Sequence, residues 1–416
     1  MNRKIRVVLS TGQGRLHLIT AARFIAAAGV DLSVVTSWIP RNPEGLLVRF
    51  CSRVVGRDLS FGMKKRVINL PGVEVHAMAF AEFLFQGMRL VDNNVFGGRF
   101  RSWVAEFGWK VYGWMSRRYL SRDATVFHCR SGAGQGGAIK VAKLQGMKVL
   151  VDHSALHPAQ SELNLRDECL RWGQSMPIVP TLGVWRNVLK DCQEADVIMV
   201  NADHIRDSFV ERGYNPRKVK VVRLGVRSDF FGLKKDYQIG STVRILYTGG
   251  FSLLKGAEYT LESVRLLKER GVNVHLDVVG SIGIPNALLR KYATLPVTYH
   301  GVVPQDDLKS FLSESDIYLF PSLADGCAQS GMEALAAGLP VVATYQSGLP
   351  ITDGKTGLVV PMKNALAIAD RIEWLAGCAT EREHIGRAAT KMIADNYTWE
   401  KYGENVKKLY EELLAR

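Results

Sequence analysis

The sequence predicts an α/β protein made of two Rossmann-like, doubly wound parallel-sheet domains that face a central cleft. Three observations carry this expectation. Short apolar runs alternate with amphipathic helical stretches along most of the chain, the pattern of parallel strands covered on both faces. A chain of 416 residues is too long for one ordinary core, which makes two domains the expected division. Near the middle, "GVRSDFFGLKKDYQIGST" lacks periodicity and carries turn residues, as a connection between halves does.

The alternation is most regular from residue 243. "VRILYTGG", "VHLDVVG", "VTYHG", "DIYLFPS" and "PVVAT" read as strands, separated by the helical stretches "AEYTLESVRLLKERG", "NALLRKYA", "PQDDLKSFLSES" and "MEALAAG". The first half repeats the pattern with "IRVVLS", "DLSVVTS", "VEVHAMAF", "TVFHC", "KVLVDH", "ADVIMVN" and "VKVVRLG" as strands, interrupted at about 38–70 and 81–123. The expected division is a first domain over 1–225, a linker over 226–242, a second domain over 243–395 and a C-terminal helix over 396–416. Tyr402, Val406, Leu409 and Leu413 give that helix an apolar stripe, expected to pack across the domain junction.

Hydrophobic content of 47% excludes a disordered chain. The six cysteines are scattered without metal-binding spacing, as in a reduced, cytoplasmic protein, and the first residues lack the apolar run of an export signal. No stretch has the length of a membrane span. The net charge of +14 is unevenly placed: residues 1–125 hold 19 Lys and Arg against 8 Asp and Glu, the remainder 35 against 32. A basic domain beside a nearly neutral one suits an anionic partner, a membrane surface or a nucleic acid. Within 45–122, "FAEFLFQGMRL" and "GGRFRSWVAEFGWKVYGWMSRRYL" mix aromatic with basic residues, as interfacial helices do, although packed helices with a basic solvent face look the same.

Open doubly wound sheets bind ligands beyond the carboxyl ends of their strands. After the first strand, Gly12 and Gly14 open a helix in "TGQGRLH"; glycine lets a phosphate approach and a helix N-terminus favours it, but the third position of a dinucleotide fingerprint is His17. In "YTGGFSLLKGAEY", Lys255 follows Gly250 in an equivalent loop and could neutralise a diphosphate. "DGCAQSGME" supplies Asp325, Gly326, Cys327, Gln329, Ser330, Gly331 and Glu333 around a helix start. Ser330 and Glu333 have the spacing of a capping box, while free amides there would suit a phosphate and the two carboxylates sugar hydroxyls. His153 ends the strand "KVLVDH" beside Asp152, where a histidine can donate to a sugar or phosphate oxygen; His128 is a weaker parallel. No D-x-D triplet and no His/Cys cluster predict a metal site.

Taken together these loops resemble family 4 of the retaining nucleotide-sugar glycosyltransferases, whose fold is called GT-B. "PSLADGCAQSGMEALAAGLPVVATYQSGLP" is similar to the family's P-S-x-x-E-G-F-G-x-x-x-x-E-A-M-A-x-G-x-P-V-V block, "NADHIRDSFVERGYNPRKVKVVRLGVRSDFF" to its interdomain segment and "GGFSLLKG" to its donor-phosphate loop. The resemblance implies a UDP- or GDP-sugar donor, no other cofactor and no metal, and a lipid-linked or cell-envelope glycan acceptor. It implies that Glu333 holds the ribose and Asp325 contacts the donor sugar. Lys255 and the amides from Gln329 to Gly331 would cradle the diphosphate, with His153 near the sugar and Gly12 and Gly14 as the glycine loop. Two positions depart from the pattern: Asp325 stands where the family has Glu, and Gly250 where many members have Arg. They leave as alternatives a non-catalytic nucleotide or glycan binder, or an epimerase or glycan phosphorylase on the same fold. The implied location is the cytoplasm, at the inner face of the membrane, without nucleic acid as a partner.

Overall fold

The computed structural model describes residues 5–13, 17–40, 42–55, 58–64, 66 and 70–415. In the first domain β1 (Arg6–Ser10), β2 (Asp31–Thr36), β3 (Glu74–Ala77), β4 (Val126–Arg130), β5 (Lys148–His153), β6 (Val197–Val200) and β7 (Val219–Val221) form one parallel sheet in the order β3-β2-β1-β4-β5-β6-β7. The second domain holds β8 (Val243–Thr248), β9 (Phe251–Ser252), β10 (Val274–Val279), β11 (Ile282–Gly283), β12 (Val297–Gly301), β13 (Ile317–Phe320), β14 (Val341–Thr344) and β15 (Leu358–Val360). Its main sheet runs β12-β10-β8-β13-β14-β15, with β9 and β11 paired beyond the ends of β8 and β10.

Both sheets wind the same way: the first strand lies in the middle, the next two build outward on one side and the rest on the other. The winding therefore reverses between β1 and β4 and between β8 and β13. At such reversals neighbouring loops diverge and leave a crevice beyond the carboxyl ends of the strands. Every residue of β6, β13 and β14 is buried, as expected of strands covered on both faces.

Three details differ from the sequence expectations. The helix expected at "MEALAAG" begins earlier, at Gln329, and runs to Ala337. The interruption expected at 81–123 is a helical hairpin, Ala79–Val95 and Arg101–Ser116, whose aromatic residues lie all round and hide the periodicity of a one-sided helix. The C-terminal helix Trp399–Leu414 does more than bridge the junction: Tyr402, Val406, Leu409, Tyr410 and Leu413 join Leu9, Leu18 and Ile25 in the core of the first domain. The chain crosses between domains at Val226, whose amide donates to Tyr397 O at 2.8 Å, and returns beside it at Thr398. The preceding helix, Ala379–Asn396, packs Ile385, Ala389 and Ile393 into the second domain.

Leu413 is 2% exposed in this shared core. Leu413→Ala should cost about 2–5 kcal/mol, read as a lowered Tm in thermal unfolding. An unchanged Tm would show that the terminal helix is not part of the first domain's core.

Candidate functional site

The second domain's contribution starts at the end of β8. Gly249 (φ 119°) and Gly250 turn the chain into β9, a single helical turn carries Leu253–Lys255, and Gly256 (φ 76°) starts the helix Ala257–Glu269. A Cβ on Gly256 would lie 2.0 Å from Pro321 O, just past the end of β13. Only glycine lets the loops after β8 and β13 close on each other here. That closure brings Lys255 Nζ to 2.5 Å from Asp325 Oδ2. The other carboxylate oxygen of Asp325 accepts the Gly326 amide at 2.6 Å.

The helix Gln329–Ala337 opens beside this pair. Its N-cap is Ala328, with no side-chain cap, so Ser330 and Glu333 do not form the capping box that their spacing suggested. Ser330 lies two positions too far into the helix: its hydroxyl donates to Thr248 O at 3.0 Å and meets Tyr318 OH at 3.0 Å, tying the helix to β8 and β13. The first intrahelical bond runs from the Met332 amide to Ala328 O, which leaves the amides of Gln329, Ser330 and Gly331 outside the helical ladder. With the helix dipole they make this an uncapped, electropositive helix end, the kind of end that suits an anion. Gln329 Nε2 donates to Gly225 O at 3.1 Å, so that side chain holds the interdomain connection. A Cβ on Gly331 would lie 2.7 Å from Leu349 Cδ1, so glycine there serves close packing. Cys327 is buried and its thiol is pushed up to about 12, chiefly by burial, which makes it an inert core residue whose only polar offering is backbone.

Glu333 follows in the same helix. Burial pushes its carboxyl up to about 7, opposed by the charge of Arg227 and reinforced by that of Asp229. Arg227 Nη1 bonds Gln305 Oε1 at 2.6 Å, and Arg227 also pairs with Asp229. This linker arginine beside Glu333 was missed in the sequence, where "GVRSDFF" reads only as a connection.

The first domain meets this surface at the ends of β4 and β5. A Cβ on Gly326 would stand 2.3 Å from Ser154 O, and His204 Nε2 lies 2.9 Å from Asp325 O, so the loop carrying Asp325 is seated directly on the first domain. His153 is 1% exposed; its Nδ1 bonds Ser131 Oγ at 2.9 Å, and burial, aided by Arg130, lowers it to about 3. It is a neutral, enclosed ring one residue from the Gly326 contact, not a charged proton donor. Its neighbour Asp152 is more distinctive. Burial alone would raise its carboxyl, but His17 at 3.2 Å, Arg130 at 3.4 Å and His128 together outweigh it and hold Asp152 at about 2. His128 is spent on Tyr410 OH, 2.6 Å from its Nδ1. The partnership of His17 and Arg130, which also bonds Ser154 Oγ, with Asp152 escaped notice because one opens a helix and the other ends β4, far apart in sequence.

Gly12 differs from its expected role as an open phosphate loop. Its amide donates to Tyr112 OH at 3.2 Å, and a Cβ would lie 2.5 Å from the Trp109 ring, so the second helix of the hairpin covers it. Gly14 lies outside the described residues. Gly250 keeps its place in the β8 loop, where its carbonyl accepts from Tyr247 OH at 3.0 Å.

Two parallel-sheet domains with a seated acidic loop, a lysine and an uncapped helix end at their junction define a GT-B protein. The comparisons with known proteins narrow this. Residues 242–377 match the model of the family described as "Glycosyl transferases group 1". The amylovoran biosynthesis glycosyltransferase AmsK of Erwinia amylovora is 28% identical over 269 residues, covering 61% of this chain and 61% of the relative. The putative colanic acid biosynthesis glycosyltransferase WcaL of Salmonella typhimurium is 29% identical over 196 residues, covering 43% of this chain and 47% of the relative. The matches thus span about half to three-fifths of these relatives' length. The structure of Anabaena HepE in complex with UDP and glucose superposes with a TM-score of 0.59 at 13% identity, over 97% of this chain and 99% of that one, a likeness of fold. The chain resembles glycosyltransferase family 4, and its second domain carries the family match.

Two predictions test the site. An acid whose folded pKa is raised stabilises the fold fully below its unfolded value, and that contribution is lost as pH rises through the folded value. For Glu333 the window runs from 4.5 to about 7. Glu333→Gln should therefore leave Tm unchanged near pH 4 and raise it by roughly 2–4 °C at pH 8; a gap that does not grow with pH would contradict a half-buried carboxyl whose ionisation the fold opposes. Gly326→Ala should cost about 1–3 kcal/mol and separate the domains, seen as a larger radius of gyration in small-angle scattering.

Proposed function

We propose that the protein is a retaining glycosyltransferase that moves a sugar from a nucleoside diphosphate to a lipid-linked or cell-envelope glycan. The observation that carries this is the ion pair of Lys255 with Asp325, four residues before a helix whose first amides, Gln329 to Gly331, are outside its ladder and whose next turn carries the Glu333 carboxyl. A cation and an uncapped helix end suit a diphosphate, and a carboxyl one turn further suits ribose hydroxyls. The match of residues 242–377 to the glycosyl transferase model, and relatives named for amylovoran and colanic acid biosynthesis, support the same activity and class of product.

In this account the bond between the anomeric carbon and the diphosphate oxygen breaks, and charge grows on the leaving group. Lys255 and the helix amides stabilise that charge by fixed electrostatics. The acceptor hydroxyl attacks from the same face, its oxygen bonding the anomeric carbon and its proton passing to the departing phosphate. No enzyme nucleophile takes part. Before donor binds, Lys255 is occupied by Asp325; the diphosphate replaces Asp325 as its counter-ion, which releases the Asp325 carboxylate to the sugar hydroxyls. That exchange gives the shorter acid a purpose, since Asp325 already stands within ion-pair reach of the lysine. The basic first third supports action at an anionic membrane surface.

Lys255→Ala should lower turnover of UDP- or GDP-sugars by roughly 100- to 1,000-fold with Tm nearly unchanged. Slow release of nucleoside diphosphate by the unaltered protein identifies the donor; release no faster than in buffer would favour a non-catalytic binder. Full activity of Lys255→Ala would overturn the assigned diphosphate site.

A further inference from the structure

The helical hairpin Ala79–Val95 and Arg101–Ser116 carries an apolar groove that the transfer chemistry does not use. The groove encloses about 780 Å³ and is lined by Phe83, Met88, Val91, Phe96, Phe100 and Trp103, among others. Val91, Phe96, Phe100 and Trp103 are each about half exposed or more, at 53%, 50%, 45% and 58%. The one acidic residue that lines it among the described residues, Asp92, is 3% exposed and spent internally: its carbonyl accepts the Phe96 and Gly98 amides and its carboxylate the Phe100 amide at 2.8 Å. Exposed apolar side chains also cluster on the nearby sequence, with Leu46 and Phe50 on the helix Leu46–Val55. A contiguous apolar surface of this kind is costly in water and marks an interaction site.

Charge decides the occupant. Residues 45–122 hold 13 Lys and Arg against 5 Asp and Glu. Arg89 follows Met88 on the first helix, and Arg99 and Arg101 flank Phe100 at the tip; like Arg117 and Arg118 they form no ion pair among the described residues. A second copy docked on this face would set these unpaired cations against one another. An anionic bilayer satisfies both features, with phosphates for the arginines and hydrocarbon for the groove.

We infer that the hairpin is a membrane-inserting element whose groove takes a hydrocarbon chain of an anionic lipid leaflet. This deepens the membrane-peripheral part of the proposed function and stands apart from the donor chemistry. The far side of the second helix shows what insertion positions. Cβ atoms on Gly113 and Gly136 would lie 1.7 Å from Gln135 O and 2.0 Å from Lys110 O, so this helix is locked backbone to backbone on the loop after β4. Trp109 and Tyr112 of the same helix cover Gly12, and Gln13 Nε2 donates to Gly108 O at 2.7 Å. The lipid-facing element and the loops at the cleft edge of the first sheet are therefore one rigid piece, which would present the cleft to acceptors held in the same leaflet.

Sedimentation of the full chain with vesicles of phosphatidylcholine, alone or mixed with phosphatidylglycerol, tests the inference. Binding should require the anionic lipid, and acyl-chain bromination should quench tryptophan emission in the unaltered protein but less so in Trp103→Phe. The double variant Val91→Asp/Phe100→Asp should bind the mixed vesicles about tenfold less while releasing nucleoside diphosphate from soluble donor at the unaltered rate. Equal binding to neutral and anionic vesicles, unchanged binding of the double variant, or a dimer in solution that the double variant abolishes would each overturn it. Vesicle binding without any donor turnover would sink the transferase proposal and leave this one standing.

Discussion

The ion pair between Lys255 and Asp325 is the interaction around which the cleft is arranged. Neither loop could reach it alone. Gly256 must pass against the Pro321 carbonyl for Lys255 to arrive, and Gly326 must sit against Ser154 O for Asp325 to face it. The pair spans the winding reversal between β8 and β13, and the loop that carries Asp325 rests on the first domain through His204. Both side chains are partly exposed, at 25% and 17%, so the pair is worth little to stability and is open to exchange with a stronger anion.

That weakness suits a binding site. An ion pair in contact with water is a modest competitor, whereas a diphosphate brings two charged groups to a lysine and to three helix amides already aimed outward. Glu333 adds a second element of readiness. A half-buried carboxyl with its pKa pushed up to about 7 is a cost to the folded chain near neutral pH, and such costs persist at sites that serve a ligand. On the other wall, Asp152 is held ionised by His17, Arg130 and His128, so the two sides of the cleft carry carboxyls with opposite tendencies.

Strands that are buried on both faces announce themselves as unbroken apolar runs, which is why β6, β8, β13 and β14 stand out in the sequence and the edge strand β3, none of whose four residues is buried, is blurred. The segments of the hairpin read as helical, but whether interfacial or packed stayed open because their aromatic residues serve a groove as well as the core, so no single face carries the period. At the site, Lys255 and Asp325 could be singled out because each lies in a loop that follows a strand, and Glu333 because it falls in the helix after the second of those loops. Their pairing could not, since it depends on two glycines meeting backbone from distant loops. The spacing of Ser330 and Glu333 misled for a local reason: Tyr318 and the Thr248 carbonyl claim the serine, and the helix starts earlier than the motif requires. Arg130 and His17 have no local signature at all, because their meaning lies in Asp152, which the topology brings between them.

The central claim is that diphosphate displaces Asp325 from Lys255. Titration calorimetry of UDP and GDP against Asp325→Asn measures this directly. With the competing carboxylate removed, the nucleoside diphosphate should bind more tightly than to the unaltered protein while sugar transfer falls. Weaker diphosphate binding in Asp325→Asn, with transfer intact, would show that Asp325 and the diphosphate do not share the lysine.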